Sequence, residues 1–261
     1  MTQLEIDPEA GFRVDFHDRL ATVTLDRPDR LNAQSPAMWE ALIGLRRDLP
    51  SDVRVVVFRG AGRAFSAGLD RSLFAPDTAG GILELPRLPA TEATARIARW
   101  QEAFDWTSRP DLVSIAAVHG HAIGGGFQLA LGCDLRIVAD DARFTMAEPA
   151  LGIVPDLGGT KRLVDLVGYS LAADICLTAR RVGAEEALRI GLASRVVAAD
   201  ELDAAVATTV TALLAVDRDA AAETKALLQR AARRTQDEQQ AAEREAQYRR
   251  LRTLAGLDGE D

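Results

Sequence analysis

The sequence is poor in cysteine, in long apolar runs and in positive charge, and each shortage narrows what it can do. Its two cysteines, Cys133 and Cys176, stand far apart and form no CxxC pair, which argues against a disulfide framework or a zinc ribbon. Both read as buried thiols in a reducing compartment. No apolar run approaches the roughly 18 residues of a membrane helix, and the acidic "MTQLEIDPEA" carries no apolar stretch of the signal-peptide kind. The expectation is a cytoplasmic protein with no membrane partner. The 31 Lys and Arg face 39 Asp and Glu, for a net charge of -8, so a nucleic-acid backbone is not the expected partner. A local basic patch for a small anion is still allowed.

Several signatures are also missing. No GxGxxG and no GxxxxGK[ST] is present, which argues against dinucleotide and phosphate-loop chemistry. No GxSxG supports a Ser, His, Asp triad. There is no low-complexity linker and no repeat of fixed period.

What is present is an ordinary globular composition, 48% hydrophobic and 27% charged, in 261 residues, enough for one large domain or two small ones. "FRVDFHDRLATVTL" alternates as two short strands joined by a turn. After the loop "DRPDRLNAQSP", Ser35 and Pro36 cap a helix to about Leu49. "VRVVVFRG" and "DLVSIAAVHG" read as buried strands, each running into a glycine-rich loop. Residues Arg71 to Pro89 read as a mobile excursion, followed by a helix over Ala90–Trp106. "LRIVAD" and "ARFTMA" add two strands, and helices dominate from about Thr160 to Leu254. The expected partition is an α/β core over 1–197 and a helical region over 198–261. The last helix carries glutamates ahead of arginines at helical spacing, the pattern of a solvated face.

The two loops "GRAFSAGLD" and "HAIGGGFQLA" share a design: a strand ends, small residues follow, and a helix or turn begins. Unpaired N–H groups fixed in such places can hold an oxygen that becomes negative during a reaction. The expected donors lie around Ala67 and Gly68 in the first loop and Gly125 in the second. The competing reading is that the glycines only allow close packing.

"RPDRLNAQS", "GRAFSAGLDR", "AAVHGHAIGGGFQLALGCDLRIVADDARFTMAEPALGIVPDLGGTKRL" and "LTARRVGAEEALRIGLASRVV", in this order, resemble the crotonase (enoyl-CoA hydratase/isomerase) superfamily. The resemblance covers about Phe12 to Val197. It implies a crotonase-like α/β spiral of ββα units with a helical C-terminal region that trimerises, giving a homotrimer or a dimer of trimers. It also implies an acyl-CoA thioester as small-molecule substrate, of the kind handled in fatty-acid β-oxidation, with no separate cofactor. The thioester carbonyl would be held by the N–H groups of Ala67 and Gly125. Arg30, Leu31, Ala33, Gly68, Leu69, Asp70 and Gly124 would lie along the CoA. The chain closes on "AGLDGED", shorter than the family's tail, so CoA contacts made there are expected to be altered.

Family members that resemble the hydratases carry two glutamates, at the positions of Gln128 and Glu148. Here the first is an amide, which cannot ionise but can orient a water or a carbonyl. Asp156 follows Glu148 by eight residues, as in members that resemble the dienoyl-CoA isomerases, although those also carry an acid at position 128. Spacing alone does not bring the two together, because Pro149, Gly152 and Pro155 exclude a continuous helix. The expected catalytic set is Glu148 as main acid/base, Asp156 as second, and Gln128. The favoured reaction is a double-bond shift. A hydratase using Glu148 with Gln128 orienting water, and a non-catalytic acyl-CoA binder, are the alternatives. Structural roles compete: Glu148 as a cap or ion-pair partner, Asp156 as a cap. His119 and His121 form an HxH without a third ligand, so no metal is expected.

Overall fold

The computed structural model describes residues 10–75, 78 and 80–257. Antiparallel β1 (Phe12–His17) and β2 (Leu20–Leu25) form the expected hairpin, and α1 (Pro36–Asp48) begins where Ser35 Oγ accepts the N–H of Met38. Next come β3 (Val55–Gly60), α2 (Ala90–Gln101), β4 (Val113–Val118), β5 (His121–Ile123) and α3 (Gly125–Leu131). The chain continues with β6 (Leu135–Ala139), β7 (Arg143–Thr145), α4 (Gly159–Val167), α5 (Tyr169–Thr178), β8 (Val182–Gly183), α6 (Ala184–Arg189) and β9 (Arg195–Val197). Three helices close it: α7 (Leu202–Ala215), α8 (Arg218–Ala231) and α9 (Gln236–Leu254). No helix among the described residues is long and apolar enough to cross a membrane.

The strands form a six-stranded sheet in the order β1-β2-β3-β4-β6-β9 and a three-stranded sheet in the order β5-β7-β8. Beyond the first hairpin every pairing in the large sheet is parallel. Alternation along its strands sends side chains to two different cores. Val56, Phe58, Ala116, Val118 and Val138 enter the larger one with α1 and α3. Val55, Val57, Ile115, Ala117, Ile137 and Ala139 meet Leu202, Val206 and Val210 of α7 on the other side. The central strands are therefore apolar on both faces, as parallel strands must be when helices cover both sides.

The structure departs from the sequence reading in small elements. The helix after Pro89 stops at Gln101, and short 3-10 turns at Glu102–Phe104 and Trp106–Ser108 take over. The described part of the excursion before it holds 3-10 turns at Arg71–Phe74 and Ile82–Arg87. Cys133 is buried, which pushes its thiol up to about 12, but Cys176 is only half-buried. α9 is solvated as expected, with Ala246 its buried residue, and Thr235 and Glu238 close a capping box at its start. Its Arg249 and Arg250 reach across to Glu223, Asp217 and Asp219 around α8.

Parallel β2, β3 and β4 lie side by side and end at one edge, so the loops that follow them must share it. Open α/β sheets bind ligands at this edge, outside the carboxyl ends of their strands.

Candidate active site

The three loops are stitched together by main-chain bonds. After β2, Gln34 N–H donates to Gly68 O (2.7 Å) and Gln34 O accepts Asp70 N–H (2.8 Å). After β3, Ser66 N–H donates to His121 O and Ser66 O accepts Ile123 N–H, each at 2.9 Å. Leu31 and Asn32 both adopt positive φ, 50° and 55°. For leucine this conformation costs about 1–2 kcal/mol. Asn32 holds the turn: its Oδ1 accepts Arg27 N–H, and its Nδ2 donates to Ala61 O and Ala64 O. The strain turns the Leu31 carbonyl toward Ala67, whose N–H donates to it at 2.8 Å.

That bond corrects the assignment of the first-loop donor. Ala67 N–H is already committed and cannot hold an oxygen of a ligand. The N–H groups of Phe65, Ser66, Gly68 and Asp70 also have partners. Leu69 N–H has none among the described residues, and so it replaces Ala67 as the free donor of the stretch Phe65–Asp70. In the second loop Gly125 opens α3, where an N–H has no partner within the helix. The segments abut: a Cβ on Gly68 would fall 2.4 Å from Ile123 O and 3.2 Å from Gly125 N.

The glycine triplet is explained by the protein's own atoms. A Cβ on Gly124 would meet Glu148 Oε1 at 3.1 Å, one on Gly125 would meet Gln34 Oε1 at 2.8 Å, and one on Gly126 would meet Ser66 O at 2.5 Å. Close packing, the competing reading, accounts for all three missing side chains. What it leaves over is the N–H edge of Gly125.

Glu148 sits in a 3-10 turn, Glu148–Leu151, and is 7% exposed. It caps no helix and makes no ion pair among the described residues, so the structural roles weighed for it fall away. Gln128 Nε2 donates to its Oε1 at 2.8 Å, while Oε2 is buried without a partner. Gln128 Oε1 in turn accepts the N–H groups of Leu157 (2.9 Å) and Gly159 (3.2 Å). Burial raises the Glu148 carboxyl above its ordinary value; its own main-chain N–H and Gln128 pull the other way, and the charge of Asp156 adds to the rise. Burial likewise raises Asp156, which caps nothing: the residue before α4 is Gly158, with no side-chain cap. Gln101 Nε2 donates to Asp156 O at 2.6 Å and ties that loop to the end of α2.

Two of the residues expected along a CoA, Arg30 and Asp70, pair with each other. Arg30 and Arg27 each place a nitrogen 2.9 Å from Asp70 Oδ2, and Arg27 also donates to Ala33 O at 2.7 Å. Burial opposes ionisation of Asp70 most strongly, yet Ser72, Arg30 and Arg27 together hold its carboxyl well below the usual range. The Arg30 side chain is 60% exposed. His119 Nε2 lies 2.9 Å from Gly62 O, and no group of three metal-ligating side chains occurs among the described residues. An apolar cavity of about 890 Å³, lined by residues such as Leu131, Leu213 and Leu228, lies elsewhere and includes none of these groups.

Three residues here escape sequence reasoning. Leu69 as donor, Arg27 beside Asp70, and Gln34 beneath Gly125 all depend on contacts between distant segments. The one usable signal was Arg27 within "DRPDRLNA", a second arginine close in sequence to Arg30.

The arrangement defines a class: α/β proteins that set unpaired backbone donors beside a buried carboxylate at the ends of parallel strands. The enoyl-CoA hydratase/isomerase family profile matches residues 15–255, and the chain belongs to that family. A Mycobacterium leprae protein named "Probable enoyl-CoA hydratase echA8" is 38% identical over 76% of this chain and 74% of its own. The human mitochondrial Delta(3,5)-Delta(2,4)-dienoyl-CoA isomerase is 39% identical over 71% of this chain and 58% of its own. A Thermobifida fusca YX protein solved in complex with CoA superposes with a TM-score of 0.90 at 48% identity, covering 95% of this chain and 96% of that one. The crotonase fold expected from the motifs is thus the fold of the chain.

Proposed function

We propose that this chain binds acyl-CoA thioesters and moves a double bond along an enoyl- or dienoyl-CoA. The observation that carries the reading is the asymmetry of Glu148: one oxygen is held by Gln128 and the other is buried with no partner. A carboxylate desolvated in this way holds a proton more readily than a solvated one, which suits it to take and return protons. The CoA complex of the Thermobifida protein supports the ligand.

In this reading Leu69 and Gly125 donate their N–H groups to the thioester oxygen. Glu148 removes a proton from the carbon next to the carbonyl, and the charge moves onto that oxygen. One such donor is worth about 3 kcal/mol of barrier. Asp156, whose carboxyl burial also keeps more readily protonated, returns a proton further along the chain. Arg30, whose side chain is exposed, reaches toward the phosphates of CoA.

Hydration is the second reading, and the names of relatives favour it, including a Clostridium acetobutylicum "Short-chain-enoyl-CoA hydratase" 36% identical over 70% of this chain. Water would then rest between Glu148 and the second N–H of Gln128 Nε2. Incubation with 2-enoyl-, 3-enoyl- and dienoyl-CoA separates the readings by product mass. Interconversion without gain of water is the expected result. Product from the 2-enoyl substrate alone, heavier by one water, would replace isomerisation with hydration, and binding without product would overturn both.

A further inference from the structure

Gln34 is fully buried, yet its Nε2 has no hydrogen-bond partner. Native proteins leave few buried polar groups unpaired, so each one calls for a reason. Exchanging the amide oxygen and nitrogen does not remove it. Oε1 accepts Trp39 Nε1 at 3.0 Å, and the exchange would set two donors face to face.

The location shows what this buried side chain holds in place. The main chain of Gln34 pairs with Gly68 O and Asp70 N–H, so it grips Leu69 from both sides. Its side-chain oxygen occupies the space left by the missing Cβ of Gly125, 2.8 Å from where that Cβ would be. One residue therefore touches both segments that carry unpaired N–H groups.

We propose that Gln34 is the positioning residue of the carbonyl-binding site. Its backbone fixes Leu69 and its amide braces Gly125, so that both N–H groups are held where an acyl oxygen becomes negative. Fixed dipoles act strongly there because the surroundings are dry and need no reorganisation. The proposal rests on the reading of Leu69 and Gly125 as donors to that oxygen. Gln34 acts through them and does not touch the substrate.

The test is isotope-edited infrared spectroscopy of butyryl-CoA labelled with carbon-13 at the thioester carbonyl, bound to wild type and two variants. Gln34→Glu keeps the acceptor for Trp39 and replaces Nε2 by oxygen. Gln34→Leu combined with Trp39→Phe removes both partners of the buried bond, so that neither is left unpaired. Wild type is expected to lower the carbonyl stretch on binding. In both variants the lowering should shrink by half or more, with affinity for butyryl-CoA kept within about threefold and kcat on the preferred enoyl-CoA reduced about tenfold. A lowering equal to wild type in a folded variant overturns the role of Gln34 and leaves the donors standing. No lowering in wild type overturns the donor reading itself. Should the double variant fail to fold, Gln34→Glu decides alone.

Discussion

Gln128 Nε2 donates to Glu148 Oε1 at 2.8 Å, and the amide that makes this bond cannot turn, because its oxygen is held by Leu157 and Gly159 N–H. The pair is thus a carboxylate fixed at one oxygen by a neutral donor. A second carboxylate in place of the amide would compete with Glu148 for a proton; the amide cannot. This relationship separates the site from the two-glutamate pattern that the motifs suggest for hydratases.

Gln128→Glu should convert the pair into two carboxyl groups sharing one proton, since like charges at this distance do not both ionise. The rising limb of kcat/KM against pH is expected to move to higher pH, and the ratio of water addition to double-bond shift should rise. Parallel pH profiles on 2-enoyl- and 3-enoyl-CoA check it; a profile that keeps its wild-type limb would show that position 128 does not sense Glu148.

Glu148 should destabilise the folded state at neutral pH. Burial raises its carboxyl, so the folded chain binds that proton more tightly than the unfolded chain does. Stability then falls as pH rises from the unfolded value through the folded one, and stays lowered above it. Glu148→Gln removes the penalty. Its thermal midpoint should exceed that of wild type at pH 8, by about 2–4 °C for each kcal/mol relieved, and the gap should close toward pH 4. Equal midpoints at both pH values would contradict the burial argument.

Gly68 should tolerate alanine far less well than Gly152. Both have positive φ, +80° and +76°, but a Cβ at 68 would meet Ile123 O at 2.4 Å while one at 152 meets nothing within 4 Å. Gly152→Ala should lose about 1–2 kcal/mol from its backbone alone. Gly68→Ala should lose a further 1–3 kcal/mol or so from overpacking, together with most activity. Urea denaturation of the two variants measures the difference.

Arg30→Ala should weaken CoA binding and leave the fold intact. The side chain is 60% exposed, and Asp70 keeps Arg27 as a partner when Arg30 is gone. A weaker dependence of the dissociation constant on salt is expected by calorimetry, because one phosphate contact is lost. An unchanged constant would place Arg30 among solvated surface charges.

Long elements were readable because their periodicity is long: Ser35 and Pro36 announce α1, and the apolar run from Val55 announces β3. β5, β8 and β9 span three, two and three residues, too few for any period to show. Glu148 and Gln128 stand out in the sequence as a carboxylate and an amide twenty positions apart, and the fold joins them by a hydrogen bond. Ala67 was misassigned as a donor because its N–H is taken by Leu31, thirty-six positions earlier, through a turn strained at Leu31 and Asn32. Local sequence cannot show which of several successive N–H groups a distant carbonyl will claim. Gln34 gave no signal for the same reason: in "LNAQSP" it is one polar residue in a loop, and only the fold buries it against Gly125.

In the proposed reaction Glu148 takes the proton beside the thioester and Asp156 returns it further along. The direct measurement is deuterium incorporation from heavy water into the acyl chain of a 3-enoyl-CoA, resolved by position, with wild type, Glu148→Gln and Asp156→Asn. Exchange next to the carbonyl should be lost in Glu148→Gln. In Asp156→Asn it should persist there, with little label further along and little net shift of the double bond. Exchange as fast as wild type in both variants would contradict the account.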